Sequence, residues 1–449
     1  MKSRPATAPF VVAVALMCSL TSGIFAAPGD ENWDDAFGVP GASDTVSALA
    51  FFGSDLIAVG GFTSIGGIEA VRIARYDGTN WHPLGDGLTS SSFPAIRALA
   101  AFQNRLYVAG AFTSAGGTSV NNIASWDGTN WSACGDGVGG PGIGIVRSMT
   151  VAGDQLIVGG TFNFVGGLST PNIAAWNGTN WAALGGGIPG TAVDSVAASG
   201  TLVYAGGRFR LSAGINATNI AMWNGTTWLA LGEGIRDWDV SGGGGGMVRT
   251  ILKVENGVVA AGSFRLAGAV SAINIAKWDG RMWRALASGM DSAGSVYALA
   301  LNGRDLYVAG YFGFVGSVNT SDIAKWDGIE WSPLGSGIGD RFFGAGLFTV
   351  ASRGSELVVG GGDITTAGGK PANNIALWHI PHSLSIERTG NNVTLSWPAT
   401  GTNFLLEATS DLGSPNWQGV SGTPSIVNDQ CVVTLPLGPA NQFYRLRRK

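Results

Sequence analysis

Cysteine, histidine and charged residues, which supply most catalytic and metal-binding side chains, are scarce in this chain of 449 residues. It contains three cysteines and three histidines, and only 12% of its residues are charged. So few cysteines exclude a disulfide framework. A formal charge of −4 excludes electrostatic binding to nucleic acid as the main activity. The GxSxG, HExxH and P-loop spacings are also missing, so no catalytic residue, metal ligand or cofactor is predicted.

Long apolar runs are missing as well, so no transmembrane segment is predicted. The longest apolar stretch lies near the start, where Lys2 and Arg4 precede an apolar run over 10–20 and small residues follow near Ala26. That layout is typical of a secretory signal peptide. We predict a signal peptide over 1–26 and a secreted protein, extracellular or periplasmic.

Removal of that signal would leave two cysteines, Cys134 and Cys431. We expect both thiols to be free, because they fall in separate predicted domains. Cys134 stands where other repeats have leucine, which predicts a small buried hydrophobic side chain. The equivalent leucines are Leu84, Leu184, Leu231, Leu286 and Leu334.

Glycine and tryptophan are abundant, with 72 and 16 residues, and both recur in a repeated pattern. One phrase reads LIAVGGFTSIGG at 56–67, and another reads NIAAWNGTNWAALGGG at 172–187. Related phrases recur along the chain, and they define seven units of 47 to 55 residues. The aromatic residues that mark the units are Tyr76, Trp126, Trp176, Trp223, Trp278, Trp326 and Trp378.

Each unit is predicted to form four short strands. In the first unit these are 46–51, 56–61, 72–76 and 81–84, with Asp-Gly-Thr-Asn as the last turn. Four strands in about 50 residues are typical of a β-propeller blade. The paired glycines after the second strand permit a close approach of the backbone or a positive φ.

The two ends of the repeat region predict a closed ring. The seventh unit lacks its second tryptophan, and Trp33 near the N-terminus lies 48 residues before Trp81, which is one repeat length. We therefore predict an all-β, seven-bladed propeller over 27–380, in which the N-terminal strand completes the last blade. Closure of this kind removes exposed strand edges.

The repeat resembles the kelch repeat of galactose-oxidase-type propellers. The matching residues in the first unit are Gly60, Gly61, Tyr76, Asp77 and Trp81. Only four residues separate the aromatic residue from the tryptophan, fewer than kelch repeats usually have. The resemblance implies the fold. It does not imply the copper chemistry of galactose oxidase, because the three histidines of this chain are not predicted to come together as copper ligands.

After the repeats, residues 381–449 form a second predicted domain. Predicted strands over 384–398, 404–417, 431–436 and 443–447 resemble a short fibronectin type III module, a β-sandwich. In secreted proteins such modules mostly serve as spacers or attachment domains, and no catalytic group is predicted here.

Candidate ligand-binding residues lie at the start of the first strand of each unit. These positions are predicted to surround one mouth of the central channel, the usual ligand site of propellers. Three of them are arginines, which suit a carboxylate or sulfate; a solvated rim is the alternative. The equivalent positions are Ser47, Arg97, Arg147, Asp194, Arg249, Tyr297 and Phe348.

Further candidates lie in connections predicted on the same face. Arg208, Arg210 and Arg265 occur after second strands and extend the basic patch. Trp238, next to Asp237 in the longest connection between units, suits stacking on a sugar, with an ordinary loop residue as the alternative.

These features predict an exported, monomeric binding or scaffold protein that recognises a glycan or an extracellular or cell-surface protein through one propeller face. The alternative is a polysaccharide-active enzyme, a lyase or hydrolase, with its site at the same mouth. Glycoside hydrolysis would require two carboxylates about 5–9 Å apart.

Overall fold

The computed structural model describes most of the chain. The described residues are 27–90, 95–139, 144–211, 215–237, 245–291, 293–340, 346–381, 384–398, 404–411, 416–420, 422–427, 430–436 and 442–448. The predicted signal peptide and Trp238 lie outside them. The described structure is almost entirely β, with one short 3-10 helix at Asp30–Asn32.

Antiparallel sheets follow one another along the chain, and we number them sheets 1 to 7 in chain order. Each begins with a strand that we call the inner strand. The inner strands are Val46–Phe52, Ala95–Phe102, Ile145–Ala152, Gly190–Ser199, Met247–Val254, Ser295–Asn302 and Leu347–Arg353. The second strands are Asp55–Gly60, Arg105–Ala111, Gln155–Thr161, Leu202–Leu211, Gly257–Ser263, Asp305–Tyr311 and Glu356–Gly361.

A third strand follows in every sheet, and in sheets 1 to 6 the predicted tight turn joins it to an outer strand. The third strands are Ile73–Tyr76, Ile123–Trp126, Ile173–Trp176, Ala217–Trp223, Ile275–Trp278, Ile323–Trp326 and Ile375–His379. The outer strands of sheets 1 to 6 are Trp81–Pro83, Trp131–Ala133, Trp181–Ala183, Trp228–Ala230, Trp283–Ala285 and Trp331–Pro333. The predicted order of four strands is therefore confirmed for sheets 1 to 6.

The Asp-Gly turns are structural. Asp77 Oδ1 accepts hydrogen bonds from the Thr79 and Asn80 amides, and Asn177 does the same for its own turn. Backbone hydrogen bonds, above all from Asn80, and the His82 side chain lower the pKa of Asp77 to about 2. Asp and Asn are interchangeable here because the turn requires only an acceptor oxygen.

Short strands between the second and third strands were not predicted. In most units they form a hairpin, and four of these hairpins pair with a strand from the preceding connection. The hairpins are Ser64–Ile65 with Ile68–Glu69, Ser114–Ala115 with Thr118–Ser119, Phe164–Val165 with Leu168–Ser169, Leu266–Ala267 with Val270–Ser271, Phe314–Val315 with Val318–Asn319, and Ile364–Ala367 with Lys370–Pro371. The connection strands are Leu88–Thr89, Val138–Gly139, Ile235–Arg236 and Ile338–Asp340.

The sheets form a ring. The inner strands of consecutive sheets contact one another, and the inner strand of sheet 7 contacts that of sheet 1. Hydrophobic clusters lie between neighbouring sheets, and the repeated tryptophans belong to them. Trp126 and Trp131, for example, pack with ring centroids 5.1 Å apart. This arrangement of four-stranded antiparallel sheets is that of a β-propeller.

The N-terminal segment pairs with sheet 7. Trp33 forms an antiparallel bridge with Trp378, and its indole Nε1 donates to the Leu334 carbonyl at 3.1 Å. Trp181 makes the equivalent bond to the Cys134 carbonyl of the preceding sheet. Trp33 therefore occupies in sheet 7 the place that the outer-strand tryptophans occupy in the other sheets.

The C-terminal residues form two further sheets that share one hydrophobic core around Trp397 and Leu406. The first sheet contains Ser385–Thr389, Asn392–Pro398, Gln430–Pro436 and Ser425–Val427. The second contains Gln418–Gly419, Phe404–Thr409 and Phe443–Arg448. Cys134 and Cys431 have free thiols, as predicted, and both are buried, Cys134 in the propeller and Cys431 in this core.

Candidate functional site

One cavity at the axis of the ring brings together all seven predicted positions on the inner strands. We call it the axial cavity. It has a volume of about 580 Å³, within the range of about 300–1,000 Å³ that is usual for small-molecule sites. The predicted residues in its lining are Ser47, Arg97, Arg147, Asp194, Arg249, Tyr297 and Phe348.

A β-bulge places each of these side chains. In every inner strand the pairing register with the second strand shifts at the predicted position, for example between Ile96 and Ala98 around Arg97. The same shift surrounds Asp194 and Phe348. A bulge leaves one residue out of the regular pairing and redirects its side chain. The repeated bulge is therefore the reason that equivalent residues of all sheets reach the axis.

The glycine at the end of each second strand makes the bulge possible. Gly110 pairs with Ile96, and a Cβ on Gly110 would lie 2.1 Å from the Ala95 carbonyl oxygen. Gly160 and Gly310 have the same close contact, at 2.1 and 2.2 Å. Close approach, one of the two predicted roles, is thus the reason for this glycine, whose φ is not in the left-handed region.

Asp194 organises one side of the axial cavity. Its Oδ1 lies 3.5 Å from Arg147 Nε, and its Oδ2 lies 3.7 Å from Arg208 Nε. Arg147 Nε also donates to Thr161 Oγ1 at 3.2 Å. The Asp194 side chain is only 10% exposed, and within the described residues its Oδ2 and Arg208 Nε have no hydrogen-bond partner, so Asp194 neutralises the two guanidinium groups by charge.

Arg97 differs from Arg147 and Arg249, whose Nε atoms donate to Thr161 and Ser295. Within the described part of the chain, its side chain has no hydrogen-bond or ion-pair partner. Burial lowers the pKa of Arg97, repulsion from Arg147 lowers it further, and attraction to Asp194 opposes both. The group stays charged at neutral pH, so an anion in the cavity would relieve this repulsion.

Aromatic side chains form the opposite side. The Arg249 guanidinium lies over the Tyr297 ring, 4.8 Å from its centroid, and Arg249 Nε donates to Ser295 Oγ at 3.1 Å. Tyr297 packs edge-on against Phe348 with centroids 5.6 Å apart. Phe348 is 38% exposed, which leaves an aromatic surface available to a ligand.

Two expectations about the remaining arginines were wrong. Arg208 and Arg210 lie within the second strand of sheet 4, which is longer than its equivalents, and not in a loop. Arg210 lines a separate groove together with Arg208 and Asp237, so it does not add to the basic residues of the axial cavity. Arg265 lies in the predicted connection, but it pairs with Asp237 at 3.4 Å and is not part of the axial lining.

Two of the three histidines occur near the end of the repeat region. His379 Nε2 lies 3.1 Å from Asp34 Oδ2, and His382 lies outside the described residues. In the described ranges no group of three or more His, Cys, Asp or Glu residues could hold a metal ion. The same ranges contain no helix long and apolar enough to cross a bilayer.

A repeated asparagine near the start of the third strand was not predicted from the sequence. Asn172, with φ of 62°, accepts from the Phe162 amide at 3.2 Å and donates to the Ile188 carbonyl at 3.0 Å. Asn219 and Asn274 make similar bonds. The asparagine within the repeated NIA phrase, which marks left-handed backbone, was the signal. These residues position the loops around the mouth.

Comparisons with known proteins find only distant likenesses. No family model and no curated protein matches the chain. A structure titled "YCF48 bound to D1 peptide" is 14% identical, at a TM-score of 0.46, over 78% of this chain and 96% of that chain. The WD40 beta propeller domain of Doa1 is 12% identical, at a TM-score of 0.46, over 75% and 93%. Neither likeness is close enough to bear on function.

Proposed function

We propose that this chain is an exported, monomeric binding protein that holds an acidic glycan at the axial cavity of a seven-bladed propeller. The observation that carries the proposal is the convergence of Arg97, Arg147 and Arg249 on one cavity. The lining contains two carboxylates, Asp44 and Asp194, so the arginines are in excess. Arg208 adds a further positive charge beside Asp194.

The domain organisation is part of the proposal. We infer a kelch-like propeller over 27–380 and a fibronectin type III-like sandwich over 381–449, which serves as a spacer or anchor. The bridge between Trp33 and Trp378 supports closure of the ring by the N-terminal strand. The shared core of the two C-terminal sheets supports the sandwich. Export rests on the signal-like composition of residues 1–26.

A glycan array tests the binding function. The mature chain, 27–449, is screened at low and moderate salt beside Arg97→Gln and the control Arg281→Gln, which changes an exposed arginine far from the axial lining. We expect acidic glycans to bind, salt to weaken binding, and Arg97→Gln to lose about tenfold or more in affinity, because a charged hydrogen bond is removed. The control should bind like the wild type.

The competing functions give different results on the same array. Silence across acidic glycans would overturn the glycan proposal and favour a protein partner. Shortened products after incubation would favour the lyase or hydrolase alternative. That alternative currently has little support, because Asp194 is already engaged by Arg147 and Arg208.

A further inference from the structure

The inner position of sheet 1 is the smallest around the axial cavity. Ser47 Oγ donates to the Val59 carbonyl at 3.2 Å and also to the Ile96 carbonyl, so its hydroxyl is turned to the main chain. Because the inner strands follow chain order around the ring, Ser47 lies between Phe348 of sheet 7 and Arg97 of sheet 2. A gap therefore separates the exposed ring of Phe348 from the guanidinium group of Arg97.

The axial cavity extends over this gap. Besides Ser47, sheet 1 and the segment before it contribute Asp44, Thr45, Gly60 and Gly61 to the lining. A Cβ on Gly61 would lie 3.2 Å from the Asp44 carboxylate, so the absence of a side chain there keeps the space beside Asp44 open. We call this part of the axial cavity the sheet-1 pocket.

Three kinds of contact surround the sheet-1 pocket. Arg97 offers a planar set of N–H donors that fits a carboxylate. Phe348 offers an apolar face, on which the C–H face of a sugar ring can lie. Asp44 offers carboxylate oxygens, which accept hydrogen bonds from hydroxyl groups but repel a bare anion such as sulfate.

We propose that the sheet-1 pocket binds a hexuronic acid residue of a polysaccharide. This inference rests on the proposed binding function and names its ligand class. The carboxylate of the sugar pairs with Arg97, its ring lies against Phe348, and its hydroxyls donate to Asp44. Asp194 and Tyr297 act as positioning residues, since they contact Arg147 and Arg249.

Calorimetry with a matched pair of ligands tests this proposal. The mature chain is titrated with an oligogalacturonate and with the same oligosaccharide after methyl esterification, which removes the charge and keeps the sugar face. We expect the ester to bind about tenfold or more weakly. Inorganic sulfate at equal ionic strength should not compete, because it lacks hydroxyl donors and an apolar face.

Variants of the pocket separate this proposal from the general one. Phe348→Ala should weaken oligogalacturonate about tenfold, while Phe348→Tyr keeps binding and Phe314→Ala, an exposed aromatic outside the lining, has no effect. Ser47→Leu should fill the gap and abolish binding, and Ser47→Ala should retain it. Unchanged circular dichroism and melting temperature show that each variant is folded.

The two proposals fail in different ways. If Arg97→Gln abolishes binding of an acidic glycan but Phe348→Ala and Ser47→Leu leave it unchanged, the uronic acid proposal is overturned and the binding function stands. If Arg97→Gln also binds as the wild type does, both proposals fail.

Discussion

At the scale of single residues, Asp194 has a structural role and an electrostatic one. Asp194, whose side chain is 10% exposed, is the counter-ion of Arg147 and Arg208, and Asp194→Asn would remove its charge. We predict a loss of about 1–3 kcal/mol in the free energy of unfolding, measured in urea. Acidic glycans should nevertheless bind more tightly, because the cavity becomes more positive. A variant that is less stable and also binds acidic glycans more weakly would contradict this assignment.

Cys134 gives the propeller a dependence on alkaline pH. Burial raises the pKa of its thiol to about 12, from an ordinary value of 9.0, although hydrogen bonding with Ser125 and the charge of Arg105 lower it. Above pH 9.0 the unfolded chain releases this proton and the folded chain keeps it, so stability falls as the pH rises toward 12.

Replacement of this thiol by the residue of the other repeats isolates the effect. We predict that Cys134→Leu loses part of the alkaline destabilisation, by up to about 1.4 kcal/mol per pH unit. Urea unfolding at neutral and alkaline pH measures the difference between variant and wild type. Identical pH dependence of the two proteins would show that the thiol is not the responsible group.

At the scale of elements, the bulge and its facing glycine form one unit. Gly110→Ala brings a Cβ to 2.1 Å from the Ala95 carbonyl oxygen. We predict that it costs about 1–3 kcal/mol and weakens ligand binding, since the bulge carries Arg97. Gly139→Ala is the matched control, because a Cβ there meets nothing within 4 Å. Equal stability of the two variants would show that the bulge does not require glycine at this position.

Asn172 tests the loop geometry in a similar way. Asn172→Gly keeps the φ of 62° accessible but removes the bonds to Phe162 and Ile188, whereas Asn172→Ala also adds backbone strain. We predict a loss of about 1–3 kcal/mol for the glycine variant and about 1 kcal/mol more for alanine. Chemical denaturation measures both, and equal stability of the two variants would contradict the strain argument.

Most of the long strands and the tight turns could be predicted from the sequence. Strands and turns recur at a fixed spacing, so the pattern at 72–84 locates its equivalents elsewhere. The hairpins with two-residue strands could not be predicted, because segments such as Ser64–Ile65 are too short to show an alternation of apolar and polar residues. The extension of the second strand of sheet 4 was also missed, because it depends on the pairing of its last residues with the third strand.

At the scale of the whole molecule, stability depends on how the ring is closed. Trp33 is 1% exposed, packs on Trp378 with centroids 5.1 Å apart, and bonds to Leu334. We predict that Trp33→Ala costs about 3–5 kcal/mol and promotes aggregation, because sheet 7 is left with an open edge. Ile329→Ala, at a residue 85% exposed, should change stability by less than about 0.5 kcal/mol. Thermal unfolding with light scattering measures both effects.

The residues that line the candidate site could be predicted from the sequence, but the contacts between them could not. The equivalence of the repeats is enough to predict that Arg97 and Phe348 surround one axis, and both line the axial cavity. The ion pair of Asp194 with Arg208 depends on a strand extension with no marker in the repeat, and the free state of Arg97 depends on what its neighbours leave unpaired. Such differences arise from packing between sheets, which periodicity does not describe.

Arginine footprinting tests whether acidic glycans bind at the axial cavity. The mature chain is treated with phenylglyoxal in the presence and absence of acidic oligosaccharides from polygalacturonate and heparin, and each arginine is quantified by mass spectrometry. We predict that Arg97 reacts in the free protein and is protected by a bound oligosaccharide, while exposed Arg281 reacts equally in both states. An oligosaccharide that binds and leaves the reactivity of Arg97 unchanged would show that the axial cavity is not the binding site.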